Sequence, residues 1–382
     1  MRSYPWVCWI ALALIPSAAL AQDNNRPRAD LRGHQATIRS VSFSPDGKRL
    51  ISAASEGPIL EWDVEKLVRI RDIAPRGRVV DGSSSAAATP RRVECAAFSP
   101  DGMLIAEAAA DTPNRAAVRL WTAEDGELAR ELPIEARSVR CVAFAPDGES
   151  IAVALTESGE LGAQIVLYDP LDGAAKSRWR SEKVSPTTMA FSPDGSLLAT
   201  ASATRLHLWD VAAGKLAREI TGHTKGIQAL AFSPDGAKLA TAAGDDPVRV
   251  WTVADGKMVR EIAAKQDGTY SVAFSPTGKT LVTGGGDATV KLFNPETGIL
   301  MGRLWGHRGR VTALEYSRDG KTLASGGQDQ LIALWNTNEA DQKEIKETKT
   351  EEEFDKKEEK LKKLREHRRK EEEKRRQREG RP

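Results

Sequence analysis

Three histidines in this chain follow a glycine, and each is trailed at matching distances by a hydroxyl, an acid and a tryptophan. His223 is followed by Thr241, Asp245 and Trp251, His307 by Ser325, Asp329 and Trp335, and His34 by Ser52, Glu56 and Trp62. Hydroxyl, imidazole and carboxylate are the parts of a nucleophilic hydrolase, in which the imidazole takes the hydroxyl proton and the acid orients the ring. A catalytic set is needed once. This set recurs at fixed spacing, and recurrence marks structure. His207 alternates with Leu206 and Leu208, as a residue on one face of a strand does. The sequence holds no Gly-rich phosphate loop, no Cys pair and no His-x-x-x-His. It is read as non-enzymatic, with no metal site and no cofactor.

The elements that must position these residues are short strands. In the stretch 222–262, Ile227, Leu230 and Phe232 form an apolar run that stops at Ser233-Pro234-Asp235-Gly236. There Pro presets φ, Asp accepts hydrogen bonds, and Gly takes the open dihedrals of a tight turn. Runs at 239–243, 248–251 and 258–262 follow, divided by Gly244-Asp245-Asp246-Pro247 and Ala254-Asp255-Gly256. Four short runs with tight turns predict one antiparallel sheet.

The turn recurs as SPDG at Pro45, Pro100, Pro193 and Pro234, APDG at Pro146, SPTG at Pro276 and SRDG at Arg318. Successive spacings are 55, 46, 47, 41, 42 and 42 residues, so the unit is constant and the early copies carry insertions. A period of about 40–45 residues with four strands per copy is the pattern of propeller blades. The unit resembles the WD (tryptophan-aspartate) repeat. Gly33-His34, Gly222-His223 and Gly306-His307 match its opening mark; Trp62-Asp63 and Trp209-Asp210 match its closing mark, and Trp121, Trp251 and Trp335 keep the aromatic. The resemblance implies an all-β, seven-bladed propeller over residues 31–338, closed by an N-terminal strand at Leu31 that completes the last blade. It also implies that each His, Ser/Thr, Asp and Trp set is a hydrogen-bond chain within its blade. Closure of that kind removes exposed sheet edges.

Outside the repeats, residues 1–21 read as an export signal: Arg2 is followed by an almost wholly apolar 6–20 and by Ala19-Leu20-Ala21. The expectation is a periplasmic or extracellular protein with no membrane span once the signal is removed. Residues 22–30 are polar and expected to be loose. Net charge is +2, from 56 Lys+Arg against 54 Asp+Glu, which argues against a basic clamp for nucleic acid. Cys95 and Cys141 hold equivalent places, three before Phe98 and Phe144, where other copies carry small residues, so no disulfide is expected. Glu61 sits in an apolar place before Trp62, and 74–92 and 110–115 read as surface-loop insertions. Residues 339–382 are nearly all Glu, Lys, Arg and Gln, with pairs such as Glu353→Lys357 and Glu358→Lys362 at i,i+4. Without apolar heptads they read as a charged helix fraying into disorder.

Function is then expected on the ring's surface. In the family, residues at the start of strand one line the top-face mouth of the central channel. Four positions before the strand-one aromatic stand Arg39, Glu94, Arg140, Thr187, Gln228, Tyr270 and Thr312. Six before it stand Thr37, Arg92, Ser138, Ser185, Gly226, Gly268 and Arg310. From these, Arg39, Arg92, Glu94, Arg140, Gln228, Tyr270 and Arg310 are the candidate partner-binding residues. Arg39, Arg92, Arg140 and Arg310 fall on copies that become consecutive once the ring closes. The expected function is an exported, monomeric interaction scaffold whose protein or peptide partner is acidic. The alternatives are an exported lactonase-like or quinoprotein-like propeller, or a Tol-associated periplasmic propeller.

Overall fold

The computed structural model describes residues 25–73, 92–112, 115–156, 163–181 and 186–337. The expected signal at 1–21, most of the 74–92 insertion and the charged tail at 339–382 lie outside them. The described residues form twenty-eight strands in seven four-stranded antiparallel sheets and no helix. Blades one to six span 38–73, 92–131, 138–181, 188–220, 229–262 and 269–305. Blade seven joins 311–336 to Ala29–Arg32.

Each blade is built from the recurring turn. In blade five Ser233 Oγ donates to Asp235 Oδ1 at 2.5 Å, the Lys238 amide donates back to Ser233 Oγ at 2.9 Å, and the Gly236 amide closes on the Ser233 carbonyl at 2.8 Å. Gly236 sits at φ +70°, a conformation that favours glycine. The turn aligns Ala229–Phe232 with Lys238–Ala242, and residues such as Leu230, Leu239 and Val250 are buried on the blade faces.

One face of every blade packs on the next, so the ring has seven apolar seams. At the closing seam Leu31, Ala324, Ile332 and Leu334 of blade seven meet Ile38, Val41, Leu50 and Leu60 of blade one. The first strands of neighbouring blades touch all round and form the inner wall. Closure runs through Ala29↔Leu334, Asp30↔Ala333, Leu31↔Ile332 and Arg32↔Leu331. The closing strand therefore begins at Ala29, so the loose segment expected through residue 30 ends earlier. Of the insertion expected as a loop at 110–115, Ala110, Thr112 and Arg115 lie in strands. The blade-two hairpin simply lengthens, pairing Ala110 with Ala116 and Thr112 with Arg115.

Arginines on the outer strands latch blade to blade. Arg71 of blade one donates to the carbonyls of Ala123 and Glu124 in blade two at 2.8 and 2.7 Å. Arg130 reaches the Leu171 carbonyl at 2.6 Å, and Arg218 those of Ala254 and Asp255 at 2.7 and 3.0 Å. Arg28 carries the series across the closure, to the Val64 carbonyl at 2.6 Å. Glu61 explains its apolar place here. It is fully buried, accepting from Arg71 Nε at 2.6 Å and Arg49 Nη1 at 3.0 Å, and so aims the first latch.

Candidate functional site

The histidine sets assemble inside their blades. His34 Nε2 lies 2.7 Å from Ser52 Oγ, and Trp62 Nε1 donates to the same oxygen at 2.8 Å. In blade five the distances are 2.7 Å from His223 to Thr241 and 2.9 Å from Trp251 to Thr241. In blade seven they are 2.7 Å from His307 to Ser325 and 2.8 Å from Trp335 to Ser325. Indole only donates and carboxylate only accepts, so in blades five and seven, where a carboxylate meets Nδ1, a neutral imidazole holds its proton there and accepts the hydroxyl proton at Nε2. The three hydroxyls are fully buried, with no face open to a substrate. Filled in this way, the chain stiffens a blade.

The acid partner differs from expectation in two blades. His307 Nδ1 meets Asp329 Oδ1 at 3.0 Å, but His223 Nδ1 meets Asp246 Oδ2 at 3.3 Å, while Asp245 is exposed. The reason lies in the turn. In blades one and seven the Ser55 and Gln328 amides bond back to Thr37 and Arg310 of their own blade at 2.8 Å. The equivalent Gly244 takes φ +59° and pairs instead with Thr269 of blade six, at 3.1 and 2.7 Å. That displacement moves the next residue outward and brings Asp246 in, where the Thr224 amide and hydroxyl, each at 2.6 Å, also hold it. Burial works to raise the Asp246 carboxyl, but those donors, the Lys225 amide and His223 outweigh it and hold it well below the usual range. In blade one Glu56 is exposed; burial first, then the nearby Arg69 charge, lower His34 to about 4 against the pull of Ser52.

Blades without the histidine substitute other groups, which the sequence reading missed. Trp121 donates to the buried Glu107 at 3.0 Å, and Trp209 to Thr200 at 3.0 Å. In blade six Gln266 stands in the histidine's place, accepting from Thr283 at 2.5 Å and donating to the Thr289 carbonyl at 3.0 Å. Their signal is the polar second-strand residue that recurs at Ser52, Glu107, Thr200, Thr241, Thr283 and Ser325.

The candidate surface residues share one structural device. The inner strands of blades one, two, three, six and seven each carry a bulge, which falls on Arg39, Glu94, Arg140, Tyr270 and Thr312. A bulged residue leaves the ladder and redirects its side chain. Arg39, Arg140 and Gln228 are exposed, and Gln228 bonds back to the Gly226 carbonyl at 3.1 Å. Thr312 and Thr187 are engaged elsewhere, donating across blade joints to Ile38 and Ile227 at 2.6 and 2.9 Å. The structure brings together two pairs. Arg92 Nε contacts Glu94 Oε1 at 2.8 Å, and the Arg310 guanidinium lies 3.9 Å over the Tyr270 ring. Gly268 makes room for that ring, since a Cβ there would come within 2.6 Å of the tyrosine hydroxyl. Among the described residues no three His, Cys, Asp or Glu side chains come together to hold a metal.

Cys95 and Cys141 are free thiols, and Cys95 Sγ accepts the Val142 amide at 3.3 Å, as Ser40 Oγ accepts the Ala96 amide at 2.8 Å. The place takes a small side chain, which at Ser40 and Cys95 also accepts an amide of the next blade.

Against known families, the WD domain, G-beta repeat, matches residues 25–58, 180–210, 214–252, 256–294 and 298–336. With seven four-stranded blades in one ring, this decides the family. The chain is a WD-repeat β-propeller. No curated protein matches it. The family match passes over blades two and three, where the insertions fall and Tyr168 replaces the tryptophan. WD-repeat propellers commonly serve as protein-interaction scaffolds, and among the described residues no helix is long and apolar enough to cross a membrane.

Proposed function

We propose that this WD-repeat propeller is a non-catalytic, monomeric, exported scaffold whose top face takes an acidic segment of a partner protein. The observation that carries the reading is the stack of Arg310 on Tyr270, continued by Arg39, Arg92 and Arg140 on the next three blades. A guanidinium stacked on an aromatic ring keeps its donor edge available for a carboxylate, and Arg and Tyr are favoured interface anchors. Glu94 neutralises Arg92 in part, which concentrates the positive charge at blades seven, one and three. Export rests on Arg2, the apolar 6–20 and Ala19-Leu20-Ala21.

The test uses an Asp/Glu-rich peptide and the purified protein. Binding should fall steeply with salt, since exposed charges are screened over about 8 Å at physiological ionic strength. Replacing Arg39, Arg92, Arg140 and Arg310 with Ala should abolish binding and leave the melt unchanged. Binding that survives the change or ignores salt refutes the site. Mass spectrometry of protein recovered from the cell envelope should find the chain beginning at Gln22; an intact Met1 refutes cleavage.

A further inference from the structure

Strand one of each blade begins at the top face, so the turns between strands one and two and between strands three and four form the opposite face. There Leu171 and Met103 are 79% and 69% exposed, the most of any large apolar side chain among the described residues, and Leu128 is 42% exposed. They sit on adjoining elements of blades two and three. The Ala123 amide donates to the Met103 carbonyl at 2.8 Å, and Arg130, on the same strand as Leu128, donates to the Leu171 carbonyl at 2.6 Å. Both contacts use backbone carbonyls and leave the apolar side chains uncovered. An exposed apolar patch with a polar rim marks an interaction surface.

The rim here has one sign. The turns 99–104, 122–127, 145–150 and 169–174 of these two blades carry eight carboxylates and no Lys or Arg. The nine matching turns of the other five blades carry nine charges of each sign. Asp101 and Asp172 are tied to their own turns by the Met103 and Ala174 amides, at 2.9 and 2.7 Å, and Asp169 pairs with Lys176 at 3.0 Å. Glu124, Glu127 and Glu149 are exposed, and their carboxylates make no hydrogen bond or ion pair among the described residues. The guanidinium groups of Arg71 and Arg130, which reach these turns, are committed to Glu61 and to backbone carbonyls.

The chain itself carries a matching segment. Thr337, the last described residue, is fixed on this same face, its amide on the Lys321 carbonyl at 2.9 Å and its hydroxyl on the Gly320 carbonyl at 2.6 Å. Beyond it, residues 339–359 hold ten Asp or Glu against five Lys or Arg. Residues 360–370 reverse that balance, with eight Lys or Arg against one Glu, and they include Leu361 and Leu364. The 22 residues from 338 to 359 are long enough to span up to roughly 75 Å. That is several times the radial depth of a blade, about 14 Å for four strands about 4.8 Å apart.

We propose that residues 360–370 dock on the turns of blades two and three of their own chain. Leu361 and Leu364 cover Leu171 and Met103, and the basic groups face Glu124, Glu127 and Glu149. The acidic 339–359, repelled by those turns, serves as the spacer. A tether of this kind holds a segment at an effective concentration of about 1 mM, so a contact with a Kd of about 100 µM is formed about nine-tenths of the time. The docked segment leaves the top face open to its partner.

The experiment follows trypsin cleavage within 360–370 of the purified full chain by mass spectrometry. Cleavage of a docked segment tracks its undocked fraction, so it should be about tenfold slower than in the variant Glu124→Gln, Glu127→Gln, Glu149→Gln, whose tail sequence is unchanged. Leu171→Ser should release the segment likewise. Cleavage after Lys343, Lys346 and Lys349 of the spacer should be alike in all three proteins, and thermal melts should show the ring intact in each. A carbodiimide, which joins amines to neighbouring carboxylates, should link Lys360, Lys362 or Lys363 to Glu124, Glu127 or Glu149. In a mixture of isotopically heavy and light chains those links should stay within one isotope. Equal cleavage in the wild-type protein and the triple variant overturns the proposal, as do links that fall only on other blades. Heavy-to-light links overturn it too, because they give the surface to a second copy. The four top-face Ala changes should leave the protection as it is, which separates this surface from the scaffold site; protection lost with them moves the contact to the top face.

Discussion

Thr312 donates its hydroxyl proton to the Ile38 carbonyl at 2.6 Å, across the joint where blade seven meets blade one. Thr187 repeats the contact with Ile227 between blades four and five at 2.9 Å. Closure thus combines an inner side-chain tie with the outer strand that buries Leu31.

Cutting the outer element is the stronger perturbation. Deleting residues 23–32 removes the burial of Leu31, about 1.5–3 kcal/mol by itself, and exposes the edge of blade seven. The melting midpoint should fall markedly. Thr312→Val should cost about 1 kcal/mol in denaturant unfolding. An unchanged melt for the deletion contradicts the closure.

The displaced turn of blade five makes a paired test. Asp246→Ala should cost about 1–3 kcal/mol, because His223 and the Thr224 donors lose their acceptor. Asp329→Ala should behave alike. Asp245→Ala, on an exposed side chain, should stay within about 0.5 kcal/mol. Urea midpoints check all three, and a large loss in Asp245→Ala reverses the assignment.

Glu315 sets a pH dependence. Its carboxyl is pushed up from 4.5 to about 8 by burial, against the opposing pull of the Phe43 amide and the Ser42 hydroxyl. The folded chain therefore keeps a proton that the unfolded chain releases. This contribution is complete below the unfolded value and is lost as pH rises toward the folded one. Stability should decline from about pH 5 to about pH 9, and Glu315→Gln should flatten that slope. Equal slopes for the two proteins, measured by urea unfolding across the window, refute the assignment.

The buried Glu61 supports the first latch. Glu61→Ala leaves Arg49 and Arg71 without their acid, and breaking a buried pair in this way costs about 3 kcal/mol or more. Glu61→Gln should retain part of the stability, since an amide oxygen still accepts. Calorimetry of both variants decides, and a neutral Glu61→Ala rules out the role.

Much of the ring was legible because its signals are local. Ser233-Pro234-Asp235-Gly236 writes its own turn, and the spacing of such turns gives the blade count. Asp246 was not legible. Its placement depends on Gly244 pairing with Thr269 in another blade, a choice made only when blades five and six meet. The same limit hid the latches, although Arg71-Asp72-Ile73, Arg130-Glu131-Leu132 and Arg218-Glu219-Ile220 recur openly. The arginine reads there as ordinary surface charge until the neighbouring carbonyls stand opposite. Counting from the strand-one aromatic found the bulged residues, but it could not tell Thr312, tied to Ile38, from Arg39, exposed at the surface.

The seventh blade also imposes an order on synthesis. Leu31 is made about 300 residues before its partner Ile332, an interval of roughly 15–60 s at ordinary translation rates. Throughout that interval Ala29–Arg32 waits as an orphan, with six blades free to form behind it. Where two nascent chains lie close together, the first strand of one can complete the last blade of the other. Exchange of an identical element between copies is a low-cost route to entangled dimers. Crowding on the ribosome, more than any weakness of the finished ring, is then the hazard this architecture has to survive.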